Sequence, residues 1–285
     1  MERNISILGR SPVTFKHYSR HVAAMAIHFQ CLPTELNPEQ VKDYLFLLQK
    51  QSKTPSQTFF KHTVYGLRFL LRTEGLPYEY LHLPAIPRGN RLPVVLSREE
   101  IWAMLQTAKL LKHRLLIGLL YGCGLRCMEV RGIRLKDLDF NRKLLHIVQG
   151  KGRKDRYVPL SEHLIRGIRT YITAANPQEY LFNGQWVENE EGVHNNKYSQ
   201  RGVQWVVNHL AKEAGILKDV HTHTLRHSYA THLLEDGVNI VAVQKLLGHE
   251  NIETTMVYLH VCQLPEQLPQ SPLDKVFMLC SRSGK

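Results

Sequence analysis

Between Leu76 and Leu96 the chain carries Pro77, Pro84, Pro87, Gly89 and Pro93 within twenty-one residues, and almost no helical periodicity. Proline fixes φ and removes a backbone donor, so a run this dense neither continues a helix nor enters the middle of a sheet. It reads as an interdomain linker, and it divides 285 residues into two parts, each long enough to bury its own core. The expected divisions are a helical domain over 1–86, a proline-rich linker over 87–96, a second domain over 97–260 and a tail over 261–285. A hydrophobic share of 43% fits folded domains rather than a disordered chain.

Lysine and arginine outnumber aspartate and glutamate by 37 to 25, a net charge of +12, with a pI near 9.5. Such a balance suggests a polyanionic partner, most simply nucleic acid; the bland alternative is a basic surface that aids solubility. Five cysteines, an odd number without C-x-x-C spacing, argue for a reducing compartment, with Cys123 and Cys127 read as packing residues. MERNISILGR lacks the apolar run of a signal peptide and no segment approaches membrane-spanning length, so the expectation is a cytoplasmic protein with no membrane partner.

Three helices open the chain. Ser11-Pro12 starts one with Phe15, Tyr18, Val22, Met25 and Phe29 on one face; Asn37-Pro38 with Gln40 starts a second carrying Val41, Tyr44, Leu45 and Leu48. Thr54-Pro55 with Gln57 starts the third, its apolar face Phe60, Val64, Leu67 and Leu71, and Gly75 with Pro77 ends it. Beside that face run Lys61, Arg68 and Arg72, a basic stripe suited to phosphates and equally suited to an ordinary solvated face. Arg88 and Arg91 in the linker are further candidates for a DNA backbone.

In the second part, Ser97 with Glu100 forms a capping box, and Leu115 to Leu120 is a buried apolar segment. In YGCGLRCMEV, Gly122 and Gly124 break the helix and Arg126 follows at a new helix start, with Glu129 spaced to hold a guanidinium. Leu138–Phe140, Leu144–Gln149 and Tyr157–Leu160 read as strands of a small antiparallel sheet. The second turn, GKGRKDR, presents Lys151, Arg153 and Lys154 at a hairpin tip, where a flexible basic turn is the plain alternative. A helix follows from Ser161 to Ala175, then a strand-like Tyr180–Phe182, a polar loop over Asn183–Tyr198 and a helix over Gln204–Ala214. The phosphate-loop pattern G-x-x-x-x-G-K-[ST] is absent, which sets ATP and GTP aside.

The unusual residues concentrate between His223 and Tyr258. His223 and Arg226 stand three apart, so on a helix both leave one face and reach one anionic group; His249 follows Gly248, and Tyr258 stands nine residues on. Cations, histidine and tyrosine are the parts needed to attack a phosphodiester without a metal. His221, His223, His227 and His232 crowd the segment, and His223 with His227 has the spacing of zinc ligands, but H-E-x-x-H and a nearby carboxylate are lacking. The expectation is therefore no metal and no cofactor. Tyr229 and Tyr157 are read as packing and strand-interior residues.

YGCGLRCMEV, GKGRKDRYVPL, HTLRHSYATHLL and LLGHENIETTMVYLHV, in this order, resemble the motifs of the tyrosine recombinases, or phage integrase family, over nearly the whole chain. The resemblance implies a mainly α fold with a small antiparallel β-sheet: a helical N-terminal core-type DNA-binding domain and an α+β catalytic domain. It also implies Arg126, Lys151, His223, Arg226, His249 and Tyr258 as catalytic residues, with Glu129 supporting the first arginine. Implied too is a site-specific DNA recombinase that cuts and rejoins strands through a 3′-phosphotyrosine. Its partners are double-stranded DNA, a homotetramer on two DNA sites with the tail exchanged between protomers, and accessory proteins as an open class. Met128 departs from the family's frequent serine, a change expected to alter local packing. SPLDKVF resembles integron-integrase tails, yet the longer insertion of those enzymes is missing, which ranks a mobile-element integrase or transposase above an integron or Xer-type enzyme. A non-cutting DNA-binding regulator, a type IB topoisomerase and a metal-dependent nuclease are the competing readings.

Overall fold

The computed structural model describes residues 12–51, 57–76, 92–148, 155–188 and 194–262. The chain divides into two compact units, Met1–Asn90 and Arg91–Lys285.

In the first unit the described residues form α1 (Pro12–Phe29), α2 (Pro38–Gln51) and α3 (Gln57–Thr73). At the start of α2 the Gln40 N–H donates to Asn37 Oδ1 at 2.9 Å and the Asn37 N–H to Gln40 Oε1 at 3.0 Å. This reciprocal cap satisfies two donors that a helix start leaves without intrahelical partners. α3 ends at Gly75, whose φ of +70° lets the Leu76 N–H return to the Leu71 carbonyl at 2.9 Å. Met25, Val41, Tyr44, Leu45, Val64, Leu67 and Leu71 are the buried core, the faces that the apolar spacing marks.

The second unit opens with α4 (Arg98–Thr107), capped by Ser97 and Glu100 as the capping box predicts, and α5 (Leu111–Gly122). Leu115, Leu116, Ile117, Leu119 and Leu120 are all buried, so α5 is apolar nearly all round and serves as the central helix against α7 (Glu162–Ala175) and α9 (Thr222–Glu235). Each such side chain contributes about 1.5–3 kcal/mol on leaving water. Short α6 (Cys127–Arg131) leads to an antiparallel sheet β1-β2-β3, made of Leu138–Asp139, Leu144–Ile147 and Arg156–Pro159. After α7 come β4 (Asn183–Glu188), β5 (His194–Lys197) and α8 (Gln200–Glu213). Beyond α9, α10 (Ile240–Leu247) and α11 (Glu253–Met256) lead into a 3-10 turn, Val257–His260. Among the described residues no helix is long and apolar enough to cross a membrane.

Three sequence expectations are corrected. The polar stretch Asn183–Tyr198 carries a hairpin, β4 against β5. Its strands lack alternating apolar residues, so the sequence carries no signal for this pairing. Gly184 permits the approach, since a Cβ there would stand 2.5 Å from the Lys197 carbonyl oxygen. Tyr180–Phe182 is a buried connector rather than a strand, with one bridge from Tyr180 to Arg134 and the Leu181 N–H donating to the Ile133 carbonyl at 2.8 Å. Tyr157 lies inside β3, as expected, with its ring turned outward, 55% exposed and stacked on its cross-strand partner His146 at 4.6 Å. α8 begins four residues before the expected Gln204, because Ser199 Oγ accepts the Gly202 N–H at 2.9 Å and caps it. Cys123 and Cys127 are buried free thiols in the core, as expected, and burial pushes the Cys123 thiol up to about 12.

Candidate active site

α10 ends at Gly248, whose φ of +62° terminates the helix and turns the chain. Three arginines meet the carbonyls at that end. Arg156 Nε donates to Leu246 O at 2.8 Å, Arg226 Nη2 donates to Leu247 O, and Arg126 Nη2 donates to Gly248 O at 3.2 Å. Carbonyls at a helix C-terminus lack intrahelical donors and carry the negative end of the helix dipole, so cations gather there.

Each arginine arrives from a different element. Arg126 caps α6 after the Gly124 turn, at φ +58°, where a Cβ would also stand 2.3 Å from Tyr229 Cδ1. Glycine is therefore required there both by conformation and by space. Arg156 opens β3, and Arg226 lies inside α9, 2% exposed, with Nη1 donating to Gly124 O at 2.6 Å.

One carboxylate serves all three. Glu129 accepts the Arg126 backbone N–H and Nη1, each at 2.8 Å, and a two-pronged Arg156 fork at 2.9 and 2.8 Å; Arg226 Nη1 lies 4.0 Å away. Burial alone would raise the Glu129 acid, but the hydrogen bonds and charges of Arg156 and Arg126 hold it down at about 2. Burial, together with Arg126 and Arg156, lowers Arg226 to about 9, still cationic at neutral pH.

Tyr258 sits in the 3-10 turn, 2% exposed, among Tyr229, Ala230, Leu234, Val243 and Leu247. Its hydroxyl hydrogen-bonds His227 Nδ1 at 2.9 Å. Burial raises the Tyr258 phenol, against the opposing pull of Arg226 and Arg126. His227 is lowered to about 4 by burial, then by His223 and Arg226, and is neutral at pH 7. The His249 ring lies near-parallel to Tyr258 at 6.4 Å between centroids, and its Nδ1 is 2.9 Å from Thr255 Oγ1.

His223 is exposed and lines an open cleft of about 730 Å³ with Arg126, Glu129 and Met128. His223 opens onto the cleft, while Arg226, one turn further along α9, donates to carbonyls; burial and then the Arg226 charge lower the pKa of His223. Met128 is 56% exposed on the cleft, where its sulfur lies 3.7 Å from Arg131 Nη1. The histidine-rich run does not gather into a ligand set among the described residues, since His227 meets Tyr258 and His232 meets the Tyr121 hydroxyl at 2.9 Å. In the first unit Arg68 and Arg72 line a groove of about 300 Å³ with Tyr18, Tyr65 and Phe69, and Lys61 is half-buried on the same helix. Arg88, Arg91, Lys151, Arg153 and Lys154 lie outside the described residues, as does the tail from 263 onward.

Two site residues escape the sequence reading. Arg156 is hidden in the run of basic residues in GKGRKDR, and only the β3 register aims it inward. His227 is legible as half of a zinc-like pair, but its partner Tyr258 is distant in the chain.

The model described as "Phage integrase family" matches residues 95–263. The chain is 35% identical to a tyrosine recombinase of Pseudothermotoga lettingae, across 87% of this chain and 92% of that protein. It is 36% identical to tyrosine recombinase XerA of Thermococcus kodakarensis, across 91% and 89%. Its fold is similar to the Tn1549 transposon integrase in complex with transposon right end DNA, with a TM-score of 0.68 at 17% identity over 100% of this chain and 98% of that one. XerH bound to a palindromic difH substrate has a TM-score of 0.64 at 20% identity, over 88% and 73%. At such identities the two solved structures speak for the fold, while the family match and the relatives along nearly the whole chain speak for descent. The protein belongs to the phage integrase family and is a tyrosine recombinase.

Proposed function

We propose that this chain cuts and rejoins double-stranded DNA at specific sites, with Tyr258 as the nucleophile and Arg126, Arg226, His223, His249 and Lys151 as its catalytic companions. The observation that carries the assignment is the charge balance beside Tyr258: three guanidiniums share the Glu129 carboxylate, one of them on the almost fully buried Arg226. Uncompensated buried cations need an anion, and a phosphodiester supplies one.

During attack the Tyr258 oxygen bonds to phosphorus, the bond to the 5′ oxygen breaks, and negative charge grows on the non-bridging oxygens. Arg126 and Arg226 neutralise that charge, and His249 adds a hydrogen bond. His223, at the cleft, is the acid–base partner on the substrate side. The tyrosine must lose a proton, and neutral His227 against its hydroxyl is placed to accept it. Lys151, by resemblance to the family, gives a proton to the leaving 5′ oxygen. The ester to tyrosine keeps the bond energy, so rejoining by the reverse attack calls for no nucleotide, and the guanidiniums take the part a metal would otherwise play.

Tyr258 is 2% exposed, with Arg226 and Arg126 already acting on its hydroxyl, so attack calls for a movement of the 3-10 turn that opens that hydroxyl to the phosphate. The finer readings are a homotetramer on two DNA sites, accessory proteins, and a role in transposition. The likeness to the Tn1549 transposon integrase is one of fold, and the named relatives include XerA, so strand recombination is the common ground. The first unit, with Lys61, Arg68 and Arg72, acts as the core-type DNA grip, joined by Arg88, Arg91, Arg153 and Lys154.

Tyr258→Phe removes only the nucleophilic oxygen. On a nicked suicide substrate in a denaturing gel, the variant is expected to bind DNA and form no covalent adduct. An undiminished adduct moves the nucleophile to another residue and overturns the assignment. Cleavage is also expected to survive exhaustive chelation without added nucleotide.

A further inference from the structure

The close packing of α1 on α3 brings together three histidines that no catalytic step uses. His17 and His21 stand one turn apart on the same face of α1, and His62 faces them from α3. One ring nitrogen from each lies within 4.8 Å of the other two. The His17 and His62 rings stack at 4.7 Å, and His21 meets His62 at 5.6 Å. The approach is held by Gly66, one turn beyond His62. A Cβ there would stand 3.1 Å from both the Tyr18 carbonyl oxygen and Val22 Cγ2, so the two helices touch at that level. The three imidazoles are thus set by a packed helix pair rather than by loose side chains.

Three converging imidazoles with no carboxylate among them are the donor set of a borderline divalent transition metal, and they leave a fourth position open. Tetrahedral coordination with metal–nitrogen bonds of about 2.0–2.1 Å asks the ligand nitrogens to close to about 3.4 Å, which rotations of the exposed His17 and half-buried His62 supply. His21, 6% exposed, anchors the set in the core.

We propose that His17, His21 and His62 form a three-histidine site for a zinc-class divalent ion that ties α1 to α3 and stabilises the first unit. The sequence reading weighs zinc only at the His221–His232 run, because nothing in the sequence joins His62 to the first helix. Such a clamp takes no part in strand cleavage, so the inference stands or falls apart from the recombinase assignment.

The test uses the full chain, stripped with a chelator and titrated with zinc and, separately, with cobalt. One zinc per chain is expected at an affinity tighter than about 1 μM, with a rise in melting midpoint. Cobalt is expected to show the intense d–d absorption of a low-coordinate ion, without thiolate-to-metal charge transfer. His17→Gln changes an exposed side chain and keeps the apo melting midpoint, and it is expected to abolish both the zinc-dependent rise and the cobalt spectrum; His62→Gln is expected to do the same. Absent or weaker binding in the wild-type chain overturns the proposal. So does undiminished binding in both variants, or a thiolate band, either of which places the ion elsewhere.

Discussion

The two units use arginine in opposite ways. In the first, Arg68 and Arg72 border a shallow groove beside Tyr18, Tyr65 and Phe69, on one face of a single helix. In the second, Arg126, Arg156 and Arg226 come from three elements, lie largely out of solvent, and are clamped by one carboxylate and the last carbonyls of α10. Water and salt screen an exposed guanidinium, which therefore lends affinity. A desolvated, oriented guanidinium acts on charge that develops during reaction, without reorganising first. The contrast separates gripping DNA from performing chemistry on it, and each part of it can be broken by experiment.

The largest expected effect is at Glu129. Glu129→Gln keeps the shape and removes the negative charge that, among the described residues, Arg126 and Arg156 share. Breaking a buried ion pair costs about 3–5 kcal/mol, because the partners stay buried and uncompensated. Urea unfolding is expected to show a loss of that order, partly recovered by added phosphate or sulfate. A loss under about 1 kcal/mol would mean the cluster is held as weakly as a surface pair, and the contrast would collapse.

Next comes His227, whose folded pKa of about 4 lies below its ordinary value of 6.5. Between those values the unfolded chain binds more protons than the folded one, so stability is full above about pH 6.5 and falls as pH drops toward 4. The single-group contribution is at most about 3 kcal/mol. Glu129, held at about 2 against an ordinary 4.5, contributes stability that is lost only below about pH 4.5. The window from 6.5 to 4.5 therefore belongs to histidines. Unfolding free energies measured across it are expected to fall less steeply in His227→Gln than in the parent chain. The same variant is expected to slow adduct formation by about 100-fold, the scale of a lost proton acceptor. Parallel pH profiles would remove His227 from the buried network.

How much of this the sequence reveals depends on distance along the chain. Starts and stops written within four residues, such as Asn37 with Gln40, Ser97 with Glu100, and Gly75, reappear as caps. So do the three strands and the Arg126–Glu129 pair. The β4–β5 hairpin is illegible because its polar strands lack alternation. Arg156 and the His227–Tyr258 bond are illegible because their meaning lies in tertiary partners: Glu129 twenty-seven residues away and Tyr258 thirty-one. Tyr157 is legible as a strand residue, but only the register of β2 and β3 decides which face it takes.

The smallest effect lies in the first unit and is the sharpest measure of the contrast. Arg72 is exposed, so Arg72→Ala leaves no buried charge behind and stability is expected to hold within about 0.5 kcal/mol. If its guanidinium only neutralises a phosphate, the slope of log binding constant against log salt falls by about 0.9. The loss should then be the same on recombination-site DNA and on unrelated duplex, because a phosphate contact carries no sequence information. Binding isotherms at several salt concentrations on both DNAs check this directly. A loss confined to the specific site, with the salt slope unchanged, would make Arg72 a reader of base edges or DNA shape. The groove beside Tyr18, Tyr65 and Phe69 would then be a recognition surface rather than a grip.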